Sequence, residues 1–196
     1  MTDTRPRIEE APFRRNKIHP QKFALYAGIA SLVMMFAAFT SAYIVRQGAG
    51  NWQEFRIPSI FFISTGIILA SSLTLHVSYK SFLNGKAALY RWLLVATAIL
   101  GLGFIVTQYQ GWLALTDMGV MLDGNPSGSF VYLISGAHAA HVLGGIAALI
   151  VAMLHAFILP YRPTKKRKLR FELVLIYWHF VDFLWVYLIT FFVLQS

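Results

Sequence analysis

The sequence contains no cysteine and few charged residues for its length. The absence of cysteine excludes disulfide bonds, thiolate metal ligands and a cysteine nucleophile. Charged residues make up 13% of the 196 residues, against roughly 25% in an average soluble domain. Hydrophobic residues make up 57%, so the composition is that of a membrane protein.

The net charge of +9 would suit a nucleic-acid-binding protein, but its distribution argues against that class. The lysines and arginines lie in blocks between long apolar runs, as they do in membrane proteins. The first apolar run follows about twenty polar residues and is too long for the core of a signal peptide. We interpret it as a retained first helix.

Five long apolar runs predict an all-α polytopic membrane protein, a bundle of five transmembrane helices. Each run exceeds the ~20 residues that cross about 30 Å of hydrocarbon. All seven prolines fall in the tail, in loops or at span ends, as uninterrupted helices require. We predict a polar basic tail over 1–21 and a membrane domain over 22–196, with spans at about 23–46, 57–80, 91–116, 129–160 and 171–195.

The basic residues predict how the bundle is oriented. The tail, the second loop and the fourth loop carry 15 lysines and arginines, and the loops on the other side carry 2. Lysine and arginine concentrate on the cytoplasmic side of membrane proteins. We therefore expect the N-terminus inside and the C-terminus outside, with the basic loops in contact with phospholipid headgroups.

The last span carries three ionisable residues on one helix face, Glu172, His179 and Asp182. An ionisable group near the bilayer centre costs roughly 2.5–3.5 kcal/mol, so it normally faces protein or water. The fourth span carries His138 and His141, also on one face. Depth counting places His141 level with His179 and His138 level with Asp182. We therefore predict that helices four and five are antiparallel neighbours joined by this polar cluster.

The fourth span also has a small residue at every fourth position, which would let another helix approach closely. These residues are Gly136, Ala140, Gly144, Ala148 and Ala152. They predict helix packing and carry no chemistry.

Three functions compete for the polar residues. The histidines are candidate haem ligands, and Asp182, His179 and Glu172 are candidates for a proton relay. The third interpretation, which we favour, is a buried hydrogen-bonded network. No nucleophile–base pair, phosphate loop or carboxylate dyad is present in the sequence, and no internal repeat or broken helix favours a transporter.

Two motifs resemble one family. The first is FELVLIYWHFVDFLWVYLI at Phe171–Ile189, and the second is GAHAAHVLGG at Gly136–Gly145. A weaker match is LASSLTLH with the later WLLVATAILGLGF and Gln108. Together they resemble cytochrome c oxidase subunit III in its five-helix form, from about Tyr26 onward.

The sequence departs from the family pattern at two points. Family members commonly carry an acidic residue after a serine in the first of these five helices, but Ser31 is followed by Leu32. The family's glutamate three residues after Gln108 is also absent, because Gly111 stands there. Roles that the family assigns to these two acids do not carry over.

The resemblance implies an accessory subunit that supports proton uptake in a proton-pumping oxidase of the bacterial inner membrane. Its expected partners are the catalytic subunit I, other oxidase subunits, phospholipids and a possible respiratory supercomplex. Haem and copper would lie in the catalytic subunit, with none bound by this chain. His138, His141, Glu172, His179 and Asp182 match the family's polar positions and are expected to be non-catalytic. The alternatives are a quinol oxidase subunit III and a haem b membrane protein.

Overall fold

A computed structural model describes residues 19–161 and 164–195. Within them the chain forms five helices and no strand: α1 (Pro20–Gly48), α2 (Ile60–Leu83), α3 (Ala87–Asp117), α4 (Pro126–Ile158) and α5 (Lys165–Gln195). All five are long and apolar enough to cross a membrane. The prediction of an all-α protein with five membrane-spanning helices is confirmed.

The helices extend beyond several of the predicted spans, because capping residues and hydropathy mark different boundaries. Most of the predicted tail, residues 1–18, lies outside the described residues, but α1 already begins at Pro20. Helix α5 begins at Lys165, before its apolar run. The Thr164 hydroxyl accepts a hydrogen bond from the Arg167 amide at 3.3 Å, which caps the helix start in the usual way.

Helices α2 to α5 form a closed ring, and α1 packs outside it. Each of these four helices contacts the next, and α5 returns to contact α2. Among the described helices, α1 contacts α4 and α5 and neither of the other two. Its buried residues are Phe36, Thr40 and Tyr43, so most of its surface faces outward.

Trp178 of α5 fills the junction between α3 and α4. A Cβ atom added at Gly101 would lie 2.8 Å from the Trp178 ring, and one added at Gly145 would lie 3.0 Å from it. The indole nitrogen of Trp178 donates to the Ser71 hydroxyl on α2 at 3.0 Å. Two glycines therefore let three helices close around one indole.

The first three residues of the predicted small-residue ridge of α4, Gly136, Ala140 and Gly144, face away from the Trp178 ring. Ala140 and Gly144 are exposed, and a Cβ added at Gly136 would meet nothing within 4 Å. Gly145, adjacent to the ridge, makes the close approach within this chain. The ridge therefore remains a predicted packing surface for a helix outside the chain.

We call one end of the bundle the basic end. It holds the start of α1, the turn between α2 and α3, the end of α4 and the start of α5. Among the described residues, nine lysines and arginines lie there and two, Arg46 and Arg56, lie at the opposite end. This asymmetry repeats the charge pattern of the sequence, and the inside location of the basic end remains a prediction.

The opposite end is fastened by Asn125. Its side-chain oxygen accepts from the Ser127 amide at 3.0 Å and from the Gln53 amide at 3.3 Å. Its side-chain nitrogen donates to the Asn51 carbonyl at 3.2 Å. One side chain therefore caps α4 and anchors the loop that follows α1.

Candidate functional site

The five predicted site residues lie at separate places along the α4–α5 region. Helices α4 and α5 are antiparallel neighbours, and the Tyr177 hydroxyl donates to the His141 carbonyl at 3.0 Å. No hydrogen bond or ion pair joins any two of the five side chains within the described part of the chain. Each side chain instead has its own surroundings.

Glu172 forms what we call the basic-end cluster with Lys22 and Tyr79. Its Oε2 atom lies 2.6 Å from Lys22 Nζ, and its Oε1 atom accepts from the Tyr79 hydroxyl at 2.7 Å. Lys168 Nζ lies 3.9 Å from Oε1. A charge-assisted hydrogen bond is about twice as strong as a neutral one. This carboxylate therefore ties α1 and α2 to α5.

His179 faces α2. Its Nδ1 atom is hydrogen-bonded to the Ser72 hydroxyl, and the centroids of the His179 and His76 rings are 5.9 Å apart. His179 is half-buried and His76 is exposed. The pair therefore lies at the surface of the bundle, where the α2–α5 contact opens outward.

Asp182 lies one helical turn beyond His179 and is buried. The Ser72 side chain lies beside it, but neither carboxyl oxygen has a partner with hydrogen-bond geometry among the described residues. A buried polar group without a partner costs about 1–3 kcal/mol, and more if it is charged. Burial of the Asp182 carboxyl group without a hydrogen-bond partner therefore lowers the stability of the bundle by itself.

His138 belongs to what we call the aromatic layer, with Phe36, Phe104 and Trp185. The His138 side chain is fully buried. Its ring centroid lies 5.1 Å from that of Trp185, 5.8 Å from Phe104 and 6.5 Å from Phe36. Neither ring nitrogen finds a partner in the described part of the chain. Four helices contribute one ring each to this layer.

His141 bonds to its own helix. Its Nδ1 atom donates to the Ala137 carbonyl at 2.7 Å, and its ring lies 6.0 Å from Phe36. The side chain thus contributes to the α1–α4 contact without forming a polar bridge to α5. The neighbouring histidines therefore differ, because only His141 has a hydrogen-bond partner.

The register of α4 against α5 differs from the predicted one by about one helical turn. His138 packs on Trp185, three residues after Asp182, and Gly145 packs on Trp178, the residue before His179. Depth was counted from the predicted span ends, whereas α4 starts at Pro126 and α5 at Lys165. An error of a few residues at a span end shifts the pairing by a turn.

The described histidines do not cluster into a metal site with three or more protein ligands. No group of three or more His, Cys, Asp or Glu side chains could hold a metal ion in residues 19–161 and 164–195. Around His138, the rings of Phe36, Phe104 and Trp185 occupy the space that a haem coordinated by His138 would need. The geometry favours packing over ligation.

The structure adds residues on α2 that sequence reasoning missed as partners. Ser72, His76 and Tyr79 follow one another at spacings of four and three residues, so they share a helix face. That face meets His179 and Glu172 of α5. Polar residues at this spacing in an apolar helix were the available signal.

The structure shows the surroundings of the two positions at which the sequence departs from the family pattern. The Ser31 hydroxyl donates to the Ala27 carbonyl of its own helix at 3.1 Å, on the exposed side of α1. Gln108 is buried, and its side-chain nitrogen donates to the Ser64 hydroxyl at 3.0 Å. Gly111 lets Phe61 pack closely, since a Cβ there would lie 2.7 Å from that ring. A glutamate at position 111 would not fit this packing.

Comparison with known proteins agrees with the motifs. The family model described as cytochrome c oxidase subunit III matches residues 21–195. A cytochrome c oxidase subunit 3 of Corynebacterium diphtheriae is 30% identical over 163 residues, covering 79% of this chain and 78% of the relative. A cytochrome c oxidase subunit 3 of Mus musculus is 27% identical over 178 residues, covering 85% of this chain and 66% of the relative.

The match spans almost all of the described chain and includes both the GAHAAHV segment of α4 and the YWHFVD segment of α5. The five apolar helices agree with a multi-pass membrane protein. The chain belongs to the cytochrome c oxidase subunit III family.

Proposed function

We propose that this chain is the accessory subunit III of a proton-pumping haem–copper terminal oxidase. The complex would reduce dioxygen to water with electrons from cytochrome c. The observation that carries the proposal is the family match over residues 21–195, supported by relatives named as subunit 3 of cytochrome c oxidase. Those names favour cytochrome c over quinol as the electron donor.

The proposed role is to stabilise the catalytic subunit and to support its proton uptake, without a redox centre of its own. The site geometry supports a structural use of the polar residues. Glu172 fastens three helices, and His138 packs within a layer of aromatic rings. Haem and copper would belong to the catalytic subunit.

The expected partners are oxidase subunit I, the other oxidase subunits and membrane phospholipids. The outward part of the ridge, at Gly136, Ala140 and Gly144, offers a surface on which a helix of another subunit would pack closely. We place the protein in the bacterial inner membrane, with the basic end on the cytoplasmic side. The charge asymmetry between the two ends supports this orientation.

The test is purification of the tagged chain from its native membranes in mild detergent. Subunit identification and an optical spectrum are recorded before and after this chain is separated from its partners. Co-purification of a haem–copper subunit, with no haem on the separated chain, supports the proposal. Haem that remains on the separated chain contradicts it and favours a haem b protein. Turnover with quinol but not cytochrome c contradicts the assigned donor.

A further inference from the structure

A row of polar side chains follows the contact between α2 and α5 inward from the basic end. On α2 it consists of Tyr79, His76 and Ser72, and on α5 of Glu172, His179 and Asp182. We call this set of side chains the polar row. Its length from Glu172 to Asp182 is about 15 Å at 1.5 Å per residue. That length is about half of a hydrocarbon core of roughly 30 Å.

The outer end of the row opens to water at the basic end. A polar pocket of about 600 Å³ lies there, lined by Glu172 and by the starts of α1 and α5. Glu172 keeps 20% of its side-chain surface exposed. The other lining residues are His19, Gln21, Lys165, Lys166, Lys168 and Leu169. We call this space the basic-end pocket, and it is where an aqueous proton would reach the row.

The inner end of the row is the carboxyl group of Asp182. The residue is 3% exposed, and neither carboxyl oxygen has a hydrogen-bond partner among the described residues. No described lysine, arginine or histidine forms an ion pair with it. A carboxyl group inside a membrane is costly and is typical of a proton relay when a polar path reaches it.

Few titratable side chains face Asp182 from the surrounding helices. Helix α2 contributes His76, on the far side of the His179 ring. Helix α4 contributes His138 at the adjoining turn, where it packs on Trp185. Helix α3 packs on the same tryptophan with Phe104, which does not titrate. The described polar route away from Asp182 therefore runs along the row.

Ser72 and His179 connect Asp182 to the middle of the row. The Ser72 hydroxyl is hydrogen-bonded to Nδ1 of His179 and lies beside the Asp182 carboxyl group. A hydroxyl group can accept one proton while it donates another, and an imidazole ring can do the same through its two nitrogens. The two side chains therefore have the chemistry and the arrangement of a relay.

Tyr79 and His76 connect the middle of the row to its outer end. The Tyr79 hydroxyl donates to Glu172 Oε1 at 2.7 Å, and the ring centroids of His76 and His179 are 5.9 Å apart. Tyr79 and His76 are neighbours on one helix face, with about 5–6 Å between their Cβ atoms. A single bridging water molecule spans a gap of this size.

We propose that the polar row conducts protons between the basic-end pocket and Asp182, which stores one proton inside the bundle. In the last step a proton arrives at Nε2 of His179, the Nδ1 proton passes to Ser72 Oγ, and the Ser72 hydroxyl proton passes to the Asp182 carboxylate. Asp182 becomes a neutral carboxylic acid, and His179 stays neutral with its proton on the other nitrogen. Release of the proton reverses these steps. The use of this store in turnover rests on the proposed function, but the relay itself requires only insertion of the chain in a membrane.

The experiment measures proton exchange at Asp182 by infrared spectroscopy. The full-length chain is purified with whatever subunits accompany it and placed in nanodiscs. The C=O stretching band of protonated Asp182 is the carboxylic acid band that Asp182→Asn removes. The sample is then changed from H2O to D2O, and the rate at which this band shifts gives the rate of proton exchange.

Ser72→Ala and His179→Phe are each expected to slow this exchange about 100-fold, the lower end of what a positioned proton-transfer group supplies. Ser72→Thr keeps the hydroxyl group and should exchange at the wild-type rate. His155→Phe is the matched control, because His155 is an exposed histidine near the basic end that bonds to its own helix. Unchanged exchange in both Ser72→Ala and His179→Phe would overturn the proposal. Equal slowing by His155→Phe, or an Asp182→Asn spectrum that has lost no carboxylic acid band, would also overturn it.

Loss of structure in a variant cannot imitate the expected result. A loosened bundle admits water to Asp182 and makes exchange faster, whereas loss of the relay makes it slower. Faster exchange in Ser72→Ala or His179→Phe would therefore contradict the relay. Subunit identification on the same samples separates the two proposals, because Asp182 can exchange its proton whether or not an oxidase co-purifies.

Discussion

Glu172 and His138 both place a polar side chain in an apolar helix, but the bundle holds them in opposite ways. Glu172 has an ion pair to Lys22 and a hydrogen bond from Tyr79. His138 has no polar partner within the described chain and is enclosed by three aromatic rings. One residue is fixed by charge and the other by ring packing.

The difference follows from position in the bundle. Glu172 lies near the basic end, where its side chain keeps 20% of its surface exposed and partial hydration limits the cost of a charge. His138 lies in the interior and is fully buried. There the imidazole acts as a flat ring, tilted by 31° against Trp185. A polar residue in a membrane span is therefore not by itself evidence of polar chemistry.

The largest effect is expected from the aromatic layer. Trp185→Ala removes the ring shared by His138 and Phe104 and also the donor to Thr65. A buried tryptophan truncated to alanine typically costs about 3–5 kcal/mol of unfolding free energy. Reversible unfolding in detergent would measure the loss. Trp92→Ala is the control because Trp92 is 69% exposed, and equal losses for the two would refute the layer's importance.

A smaller effect is expected from the basic-end cluster. Glu172→Gln removes the ion pair with Lys22 and should cost about 1–2 kcal/mol. Added salt should destabilise the wild type more than this variant, because salt screens the charge pair. Lys22→Gln should add little to Glu172→Gln in a double-mutant cycle. Fully additive losses would show that the two side chains act independently.

A still smaller effect on stability is expected from the hydrogen bond between His179 and Ser72. His179→Phe removes the hydrogen bond with Ser72 and should cost about 1 kcal/mol of unfolding free energy. The same change in a Ser72→Ala background should cost less, because the partner is already absent. Unfolding of the four variants in one detergent provides the coupling energy. A coupling energy of zero would mean that the bond does not contribute to stability.

His138→Phe is expected to change unfolding free energy the least, by less than about 1 kcal/mol. The change preserves a flat ring of similar size and removes no hydrogen bond to a described residue. The variant is measured beside His179→Phe under the same conditions. A loss larger than that of His179→Phe would indicate that His138 has a polar partner, such as a buried water.

The sequence was sufficient to predict five helices, because each apolar run is long enough to span a membrane. The ionisable residues of spans four and five also predicted that these two helices are neighbours, although no hydrogen bond or ion pair joins those side chains within the described chain. The partners of those residues were not predictable in the same way. Ser72 and Tyr79 become partners of His179 and Glu172 only once α2 packs on α5 in one register.

Two further features could not be predicted from the sequence, for a different reason. The basic start of α5 depends on a cap at Thr164, whereas hydropathy detects only the apolar part of a helix. A groove of about 500 Å³ between the end of α4 and the start of α5 is lined by Ala148, Ala152 and Phe171. Small residues at regular spacing indicate close packing in sequence, but they leave a cavity where no helix covers them.

The packing of α1 has a consequence for biogenesis. A ribosome makes α1 before the other four described helices, yet its backbone approaches neither α2 nor α3 in the described chain, and its helical neighbours are α4 and α5. The α2–α3 hairpin can form as soon as it is synthesised. Helix α1 is apolar enough to stay in the bilayer without a partner, and it can dock only after α4 and α5 have been synthesised. Its docking is therefore a late event in the maturation of this protein.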